Sequence, residues 1–227
     1  MAIKAYIIHL SKIENSLRSA LRLKKELKQF NIKSELFEGS YGDVTKEQYQ
    51  LMNREHHPWT FKGPRKLVSE EHKIRQSSPG VIGCFDSHYR LWEKCIELNE
   101  PIMIFEDDAQ VIRRFYNVEW DEVLSLVFSH NKKMNRYIDY LERPTGIPVA
   151  AEYKNASMPG NAGYAIKPYA AYKLVTMYKN SFLPADNAIN KHVVNIQIHN
   201  YMMGKATLRD TTGGRSSLIR TNFWSKK

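Results

Sequence analysis

The chain has 227 residues, of which 42% are hydrophobic and 26% are charged, the composition of an ordinary folded domain with enough residues for a sizeable core. No apolar run approaches the length of a membrane span, and two cysteines are too few for a disulfide framework, so we expect a cytoplasmic protein. The 34 basic residues outnumber the 24 acidic residues, and the formal net charge of +10 predicts attraction to anionic partners such as nucleic acid, anionic lipid or phosphorylated polysaccharide.

The N-terminal part of the chain predicts a strand, a helix and a second strand in that order. Residues 2–10 alternate in polarity and are rich in β-branched and aromatic residues, which favours a strand. Residues 11–30 carry apolar side chains at helical spacing, with Ser11 or Asn15 as the capping residue. Residues 33–43 favour a second strand that ends in a glycine turn. This order is typical of an α/β fold with a mostly parallel central sheet flanked by helices.

The middle of the chain contains a long irregular segment followed by a helix and a strand. Residues 44–78 mix proline, glycine, aromatic, histidine and basic residues without a steady period, which indicates a long, partly structured loop. Residues 80–98 regain helical spacing, and residues 102–105 form a short apolar run. We therefore predict a helix and then a buried strand.

The second half of the chain carries weaker signals. We predict a helix near residues 121–130, another helix after Pro184, a short strand near residues 204–209 and a basic C-terminal tail. No internal repeat is present, so residues 1–227 are expected to form a single domain with a basic and aromatic insert at about residues 44–78.

Three consecutive carboxylates, Glu106, Asp107 and Asp108, follow the predicted buried strand and are called the acid run below. In parallel α/β sheets, ligands bind just beyond the carboxyl ends of the strands. Side chains alternate along a strand, so Glu106 and Asp108 are predicted to point the same way and to bind Mg²⁺ or Mn²⁺. The alternative is an acidic turn at the N-terminus of a following helix.

Residues 78–109 resemble the signature region of glycosyltransferase family 25, which includes bacterial lipooligosaccharide galactosyltransferases and collagen galactosyltransferases. The matching elements are Gly83-Cys84, Ser87-His88, Leu91-Trp92, Pro101 and the acid run. Weaker similarities follow in the family's order at residues 5–18, 36–43, 160–175, 183–190 and 213–220. His9, Val81 and Asp86 depart from the family pattern, which often has Asn, Glu and an apolar residue there.

The resemblance implies a GT-A-type fold and transfer of a sugar from a nucleotide-sugar donor, such as a UDP-sugar, with inversion at the sugar carbon. It implies Mn²⁺ or Mg²⁺ on Glu106 and Asp108. The residues that it places at the donor site are His9, Arg18, Ser87, His88, Glu106 and Asp107.

The resemblance also suggests which residues handle the acceptor. Asp186 is the candidate general base, and the alternative is that it caps a helix. Asn161 and Tyr164 are expected to approach the sugar or the acceptor, and the alternative is ordinary surface structure around the neighbouring glycine turns. Cys84 and Cys95 are interpreted as small core residues.

Two acceptors are consistent with the basic charge. One is lipopolysaccharide or lipooligosaccharide, with the protein peripheral to the inner membrane, and the other is hydroxymethylated cytosine in phage DNA, modified in the host cytoplasm. For either acceptor, the insert supplies Arg65, Lys66, Lys73 and Arg75 as candidate contacts, unless it is only a solvated loop. A third reading is a degenerate family member that binds sugar or nucleic acid without transfer.

Overall fold

The computed structural model describes residues 3–41, 54–60, 63–67, 69–71, 73, 77–111, 115, 117–128, 150–152, 157–158 and 161–205. For residues 60, 63–66, 127–128, 151–152 and 200–205 only the backbone is described. The predicted basic tail lies outside the described residues. Within these ranges, no helix is both long enough and apolar enough to cross a membrane.

The described residues form twelve strands and four helices. The strands are β1 (Lys4–His9), β2 (Ser34–Glu38), β3 (Glu55–His56), β4 (Trp59–Thr60), β5 (Gly63–Leu67), β6 (Ile102–Glu106), β7 (Ala109–Gln110), β8 (Val123–Phe128), β9 (Ala150–Glu152), β10 (Gly163–Ile166), β11 (Ser181–Phe182) and β12 (Ile196–Lys205). The helices are α1 (Glu14–Gln29), α2 (Pro79–Leu98), α3 (Pro168–Met177) and α4 (Ala185–Ala188).

An eight-stranded mixed sheet lies at the centre of the fold, with strand order β2-β1-β6-β10-β8-β12-β7 and with β9 paired to β12. Strand β1 runs parallel to both β2 and β6, and β12 runs parallel to β8. Strand β10 is antiparallel to β6 and β8, and β12 is antiparallel to β7 and β9. The α/β prediction is confirmed, and the parallel group β2-β1-β6 delivers three carboxyl ends to one edge of the sheet.

Helices cover both faces of this sheet. Helix α1 buries Ala20, Leu23 and Leu27 against one face, where Met103 and Phe105 of β6 also lie. Helices α2 and α3 cover the opposite face, together with the side chains of Ile102, Ile104 and Tyr164 that point from β6 and β10. Successive residues of β6 therefore face different helices, as the alternation of a strand requires.

The predictions for the first half of the chain are confirmed in their element types. The strand–helix–strand opening, the helix at residues 79–98 and the buried strand after it are all present. Both candidate caps of α1 are wrong: the capping position is Ile13, without a side-chain hydrogen bond. Ser11 instead donates from its hydroxyl to Glu38 at 3.0 Å, across the edge of the sheet.

Of the predictions for the second half, one fails and two have different bounds in the structure. The helix predicted near residues 121–130 is wrong, because residues 123–128 form strand β8 at the centre of the sheet. Both faces of such a strand are buried, so its apolar run has no alternation that would distinguish it from a buried helix. The helix after Pro184 is only four residues long, and β12 begins at residue 196, well before the strand predicted near residues 204–209.

The described part of the insert contains short strands that attach it to the rest of the protein. Strand β3 pairs in parallel with β11, and β4 pairs with β5. Just before β3, Arg54 donates from Nη1 to Asp86 Oδ1 of α2 at 3.1 Å, and its guanidinium lies 3.8 Å from the ring centroid of Tyr89. Asp86 also accepts a hydrogen bond from the Ser40 hydroxyl. Asp86, one of the three departures from the family pattern, thus holds residues on both sides of the range 42–53.

Replacing Asp86 with alanine is expected to destabilise the protein by about 3–5 kcal/mol, because it leaves the largely buried Arg54 guanidinium without its carboxylate. The side chains of Arg54 and Asp86 are only 12% and 15% exposed. Urea unfolding measures the change in the free energy of unfolding. The matched control is Glu35→Ala, which breaks the exposed pair that Glu35 forms with Lys4 and should have little effect. Equal stability losses in the two variants would contradict the prediction.

Candidate functional site

The carboxyl ends of three adjacent parallel strands form a polar edge. His9 ends β1 opposite Glu38 of β2, and Ile8 of β1 is opposite Glu106 of β6. His9 is buried, and its Nε2 lies 3.7 Å from Glu38 Oε2. Burial acts to raise the pKa of Glu38, but hydrogen bonds from Tyr41 and Ser11 and the nearby His9 outweigh it and lower the pKa. This edge therefore carries oriented polar and ionisable groups beside the acid run.

The acid run divides between the two faces of the sheet. Glu106 points towards α2, where its Oε1 lies 3.6 Å from His88 Nε2. Asp107 points towards α1, where it is hydrogen-bonded to the Ser16 side chain. The chain turns at residues 107–108 and continues as β7, so the alternative of a helix after the acid run is wrong. Because this turn interrupts the strand, the alternation of strand side chains does not determine whether Asp108 points the same way as Glu106. The Oδ1 atom of Asp108 is buried.

The pKa of Asp107 is raised to about 6, chiefly by burial and also by the charge of Glu106, although the hydrogen bond to Ser16 acts in the opposite direction. Crowding of carboxylates in a buried setting thus disfavours their simultaneous ionisation. A divalent cation would relieve that repulsion, and carboxylate oxygens are the ligands that Mg²⁺ and Mn²⁺ prefer. The donor set of Glu106 and Asp108 therefore fits such a cation.

On the α2 side, the structure adds a residue that the sequence interpretation assigned to the core. The ligand atoms of Cys84, His88 and Glu106 all lie within 4.8 Å of one another. Cys84 and His88 are four residues apart on α2, a spacing that puts them on one face of a helix and could have suggested the pairing. Cys95, by contrast, is fully buried, and burial raises the pKa of its thiol to about 12, as expected of a core cysteine.

Two of the predicted donor-site residues have local partners. The Ser87 hydroxyl donates to Gly83 O at 2.7 Å and accepts from Ser40 N at 2.8 Å, so it joins the segment after β2 to α2. Arg18 lies on the exposed side of α1 and donates from Nη2 to Asn15 Oδ1 at 2.6 Å. Among the contacts of the described residues, neither side chain reaches the acid run.

Asn161 lies beside the acid run, because the neighbouring Ala162 accepts a hydrogen bond from Glu106 N at 3.0 Å. Asn161 is 2% exposed, and neither atom of its carboxamide has a hydrogen-bond partner among the described residues. Leaving buried polar atoms unpaired is costly, so this carboxamide is well suited to a polar ligand.

Tyr164 does not face an acceptor in this structure. Its side chain is fully buried, and its hydroxyl accepts a hydrogen bond from Trp92 Nε1 at 2.8 Å and lies 3.0 Å from His88 Nδ1. The expected direct contact between Tyr164 and an acceptor is therefore not supported, because the hydroxyl lies behind His88 in the core.

Asp186 lies in the first turn of α4, a helix that contacts α2. The capping position of α4 is Pro184, so the alternative that Asp186 caps this helix is wrong. Its main-chain oxygen accepts a hydrogen bond from Met158 N at 3.1 Å. The short helix that carries Asp186 thus contacts the helix that carries His88.

The predicted acceptor contacts in the insert are only partly within the described residues. Lys73 Nζ lies 2.6 Å from Glu70 Oε1, so its charge has a local partner. Arg65 and Lys66 belong to β5, of which only the backbone is described, and Arg75 lies outside the described residues.

Comparisons with known proteins give consistent matches. Residues 2–189 match the model of glycosyltransferase family 25, described as an LPS biosynthesis protein. The lipooligosaccharide biosynthesis protein lex-1 of Haemophilus influenzae is 30% identical over 154 residues, which cover 58% of this chain and 49% of that protein. The chain thus spans about half the length of this relative. No solved structure matches the chain.

Proposed function

Because the chain belongs to glycosyltransferase family 25, we propose that it transfers a sugar from a nucleotide-sugar donor to a hydroxyl group of a lipooligosaccharide-type acceptor. The observation that carries this proposal is the position of the acid run, at the carboxyl edge of the parallel strands β2, β1 and β6. This is where α/β sheets bind nucleotide ligands. The GT-A-type fold and the UDP-sugar donor are part of the proposal.

The donor site is proposed to lie between the acid run and the first turns of α1 and α2. Glu106 and Asp108 would hold Mn²⁺ or Mg²⁺, and the cation would neutralise the charge on the departing nucleoside diphosphate. Asp107 would stay bonded to Ser16 and support the turn between them. His9 offers a buried Nδ1 that has no hydrogen-bond partner among the described residues, so it can contact the nucleotide.

The acceptor side of the reaction is assigned to other residues. Asp186 would accept the proton of the acceptor hydroxyl as that oxygen attacks the sugar carbon from the side opposite the leaving group, which inverts the configuration. Asn161 would pair its carboxamide with sugar hydroxyls, because it is buried beside the acid run and both of its polar atoms are unpaired within the described residues.

Charge and the comparisons with known proteins support the proposed acceptor. Lipooligosaccharide is anionic, and a protein with a net charge of +10 is attracted to it electrostatically. The family description and the Haemophilus relative both refer to lipopolysaccharide or lipooligosaccharide biosynthesis. Neither of these descriptions refers to DNA, so lipooligosaccharide is the acceptor proposed here.

The test is a transfer assay with a panel of labelled nucleotide sugars and Mn²⁺, offered truncated lipooligosaccharide or hydroxymethylcytosine duplex DNA. We expect the label to move to lipooligosaccharide in a metal-dependent reaction. Transfer to DNA alone would contradict the proposed acceptor but would still show that the protein is a glycosyltransferase. Failure to consume any nucleotide sugar, with or without acceptor, would instead indicate a binding module and contradict the proposed activity.

A further inference from the structure

A line of buried polar contacts leads from the core to the acid run. Trp92 Nε1 donates to the Tyr164 hydroxyl at 2.8 Å, and that hydroxyl lies 3.0 Å from His88 Nδ1. His88 Nε2, on the far side of the ring, lies 3.6 Å from Glu106 Oε1, just beyond hydrogen-bond distance, and has no hydrogen-bond partner among the described residues. The side chains of Trp92, Tyr164 and His88 are all fully buried, so water does not compete at the inner end of this line.

The hydrogen-bonding capacity of each group fixes the direction of the protons. An indole N–H can only donate, so Trp92 occupies a lone pair of the Tyr164 oxygen. Burial raises the pKa of Tyr164 well above its usual value, so the hydroxyl keeps its proton. Among the described residues, His88 Nδ1 is the acceptor within hydrogen-bond distance of that hydroxyl. If Nδ1 carried a proton instead, the Tyr164 proton would be buried without a partner, which is unfavourable.

We propose that Trp92 and Tyr164 hold His88 with its proton on Nε2, so that His88 presents an N–H group to the nearby Glu106 carboxylate, orients it electrostatically and does not act as a metal ligand. Metal binding by His88 would need a deprotonated Nε2 and therefore a proton on Nδ1. Cys84, His88 and Glu106 have suitable spacing for Zn²⁺, but the proton on Nε2 opposes that use of the cluster.

This inference rests on the proposed function for its consequence in catalysis. With His88 Nε2–H directed at Oε1, the other oxygen of Glu106 is left for a cation or for the donor. Supporting groups of this kind orient a metal-binding carboxylate, and their loss typically reduces activity by about 10- to 100-fold. Tyr164 and Trp92 are accordingly positioning residues, since they act through His88.

The first experiment detects which ring nitrogen of His88 carries a proton and needs no enzymatic activity. Correlation spectra of protein with ¹⁵N-labelled histidine distinguish a protonated ring nitrogen from an unprotonated one, and His88→Gln identifies the signals of His88. We expect a proton on Nε2, none on Nδ1, and no change when Zn²⁺ alone is added. A proton on Nδ1, or a Zn²⁺-dependent shift of His88 with protection of Cys84 from alkylation, would overturn the proposal.

The second experiment compares Tyr164→Phe with His88→Gln and the double variant, using Tyr178→Phe as the matched control. The Tyr178 hydroxyl is also buried, but it donates to Ala188 O at 3.1 Å, away from His88. We expect Tyr164→Phe to shift the ¹⁵N resonance of Nδ1 and to lower kcat by about 10- to 100-fold. The Tyr178 control should do neither.

Tyr164→Phe should add little to the loss in His88→Gln if it acts through His88, so the double-variant cycle tests the coupling. Rates are expressed per folded molecule, with the folded fraction taken from circular dichroism. If the rate loss of the double variant equals the product of the two single losses, the result would contradict a positioning role and indicate a general packing defect. If no sugar transfer is found for the wild type, the histidine spectra still decide this inference independently of the proposed function.

Discussion

Replacing Asp108 with alanine is expected to lower metal-dependent sugar transfer roughly 1,000-fold, a loss of about 4 kcal/mol in transition-state stabilisation. Asp108 lies in the turn directly after Glu106, and its Oδ1 is buried. Losing one of two proposed carboxylate ligands should weaken the site that neutralises the departing diphosphate. Without metal, the variant should be as stable as the wild type or slightly more stable, because it removes one of three carboxylates that are consecutive in the chain and repel one another when ionised.

Two measurements check this expectation. Transfer is followed at saturating Mn²⁺, and thermal unfolding is followed with and without Mn²⁺, since a bound cation raises the melting temperature only where a site exists. The control is Asp121→Asn, which alters an exposed carboxylate that accepts a hydrogen bond from Asn195 at the opposite edge of the sheet. Near-normal turnover of Asp108→Ala, or an unchanged response of its melting temperature to Mn²⁺, would contradict the metal assignment.

Replacing Asp186 with asparagine is expected to cut turnover about 100-fold or more, the usual scale for removing a general base. The amide has nearly the same shape as the carboxylate but cannot accept the proton of the acceptor hydroxyl. Because Pro184 and not Asp186 occupies the capping position of α4, the change removes no helix cap.

Binding and rate must be separated for this variant. The affinity for the donor, measured with the nucleotide sugar by calorimetry, should match that of the wild type, while transfer falls. Asn187→Ala, which changes the next residue of the same short helix, serves as the control and should retain its rate. A variant that loses stability but keeps its rate per folded molecule would show that Asp186 has a structural role only.

Local patterns were sufficient for the elements that carry the acid run. The opening strand–helix–strand unit, helix α2 and strand β6 follow from residue periodicity and from a short apolar run bounded by polar residues. The helices are recognisable because each buries one stripe whose spacing is visible in neighbouring residues. Strand β6 is buried on both faces, but its apolar run is too short for a helix and is bounded by Pro101 and Glu106. The position of Glu106 at the carboxyl end of a buried strand could likewise be predicted, since it depends only on where that strand ends.

Strand β8 shows where such local reasoning fails. Residues 123–126 are all buried between β10 and β12, so polarity does not alternate along them. A central strand and a buried helix then look alike in sequence, and only the neighbouring strands decide between them. The same limit applies to β12, whose start is set by its pairing with β8 and β9.

By itself, the sequence determined the α/β class, the main helices, the acid run and the resemblance to a glycosyltransferase family, because these depend on residues close together in the chain. The tertiary structure decided which partners each charged or polar group has. Arg54 meets Asp86 across 32 positions, and Tyr164 meets His88 across 76. Hydrogen bonds and ion pairs act over a few ångströms in space, so spacing along the chain does not reveal them. The acid run could therefore be identified from the sequence, whereas the buried groups that contact it could be identified only from the tertiary structure.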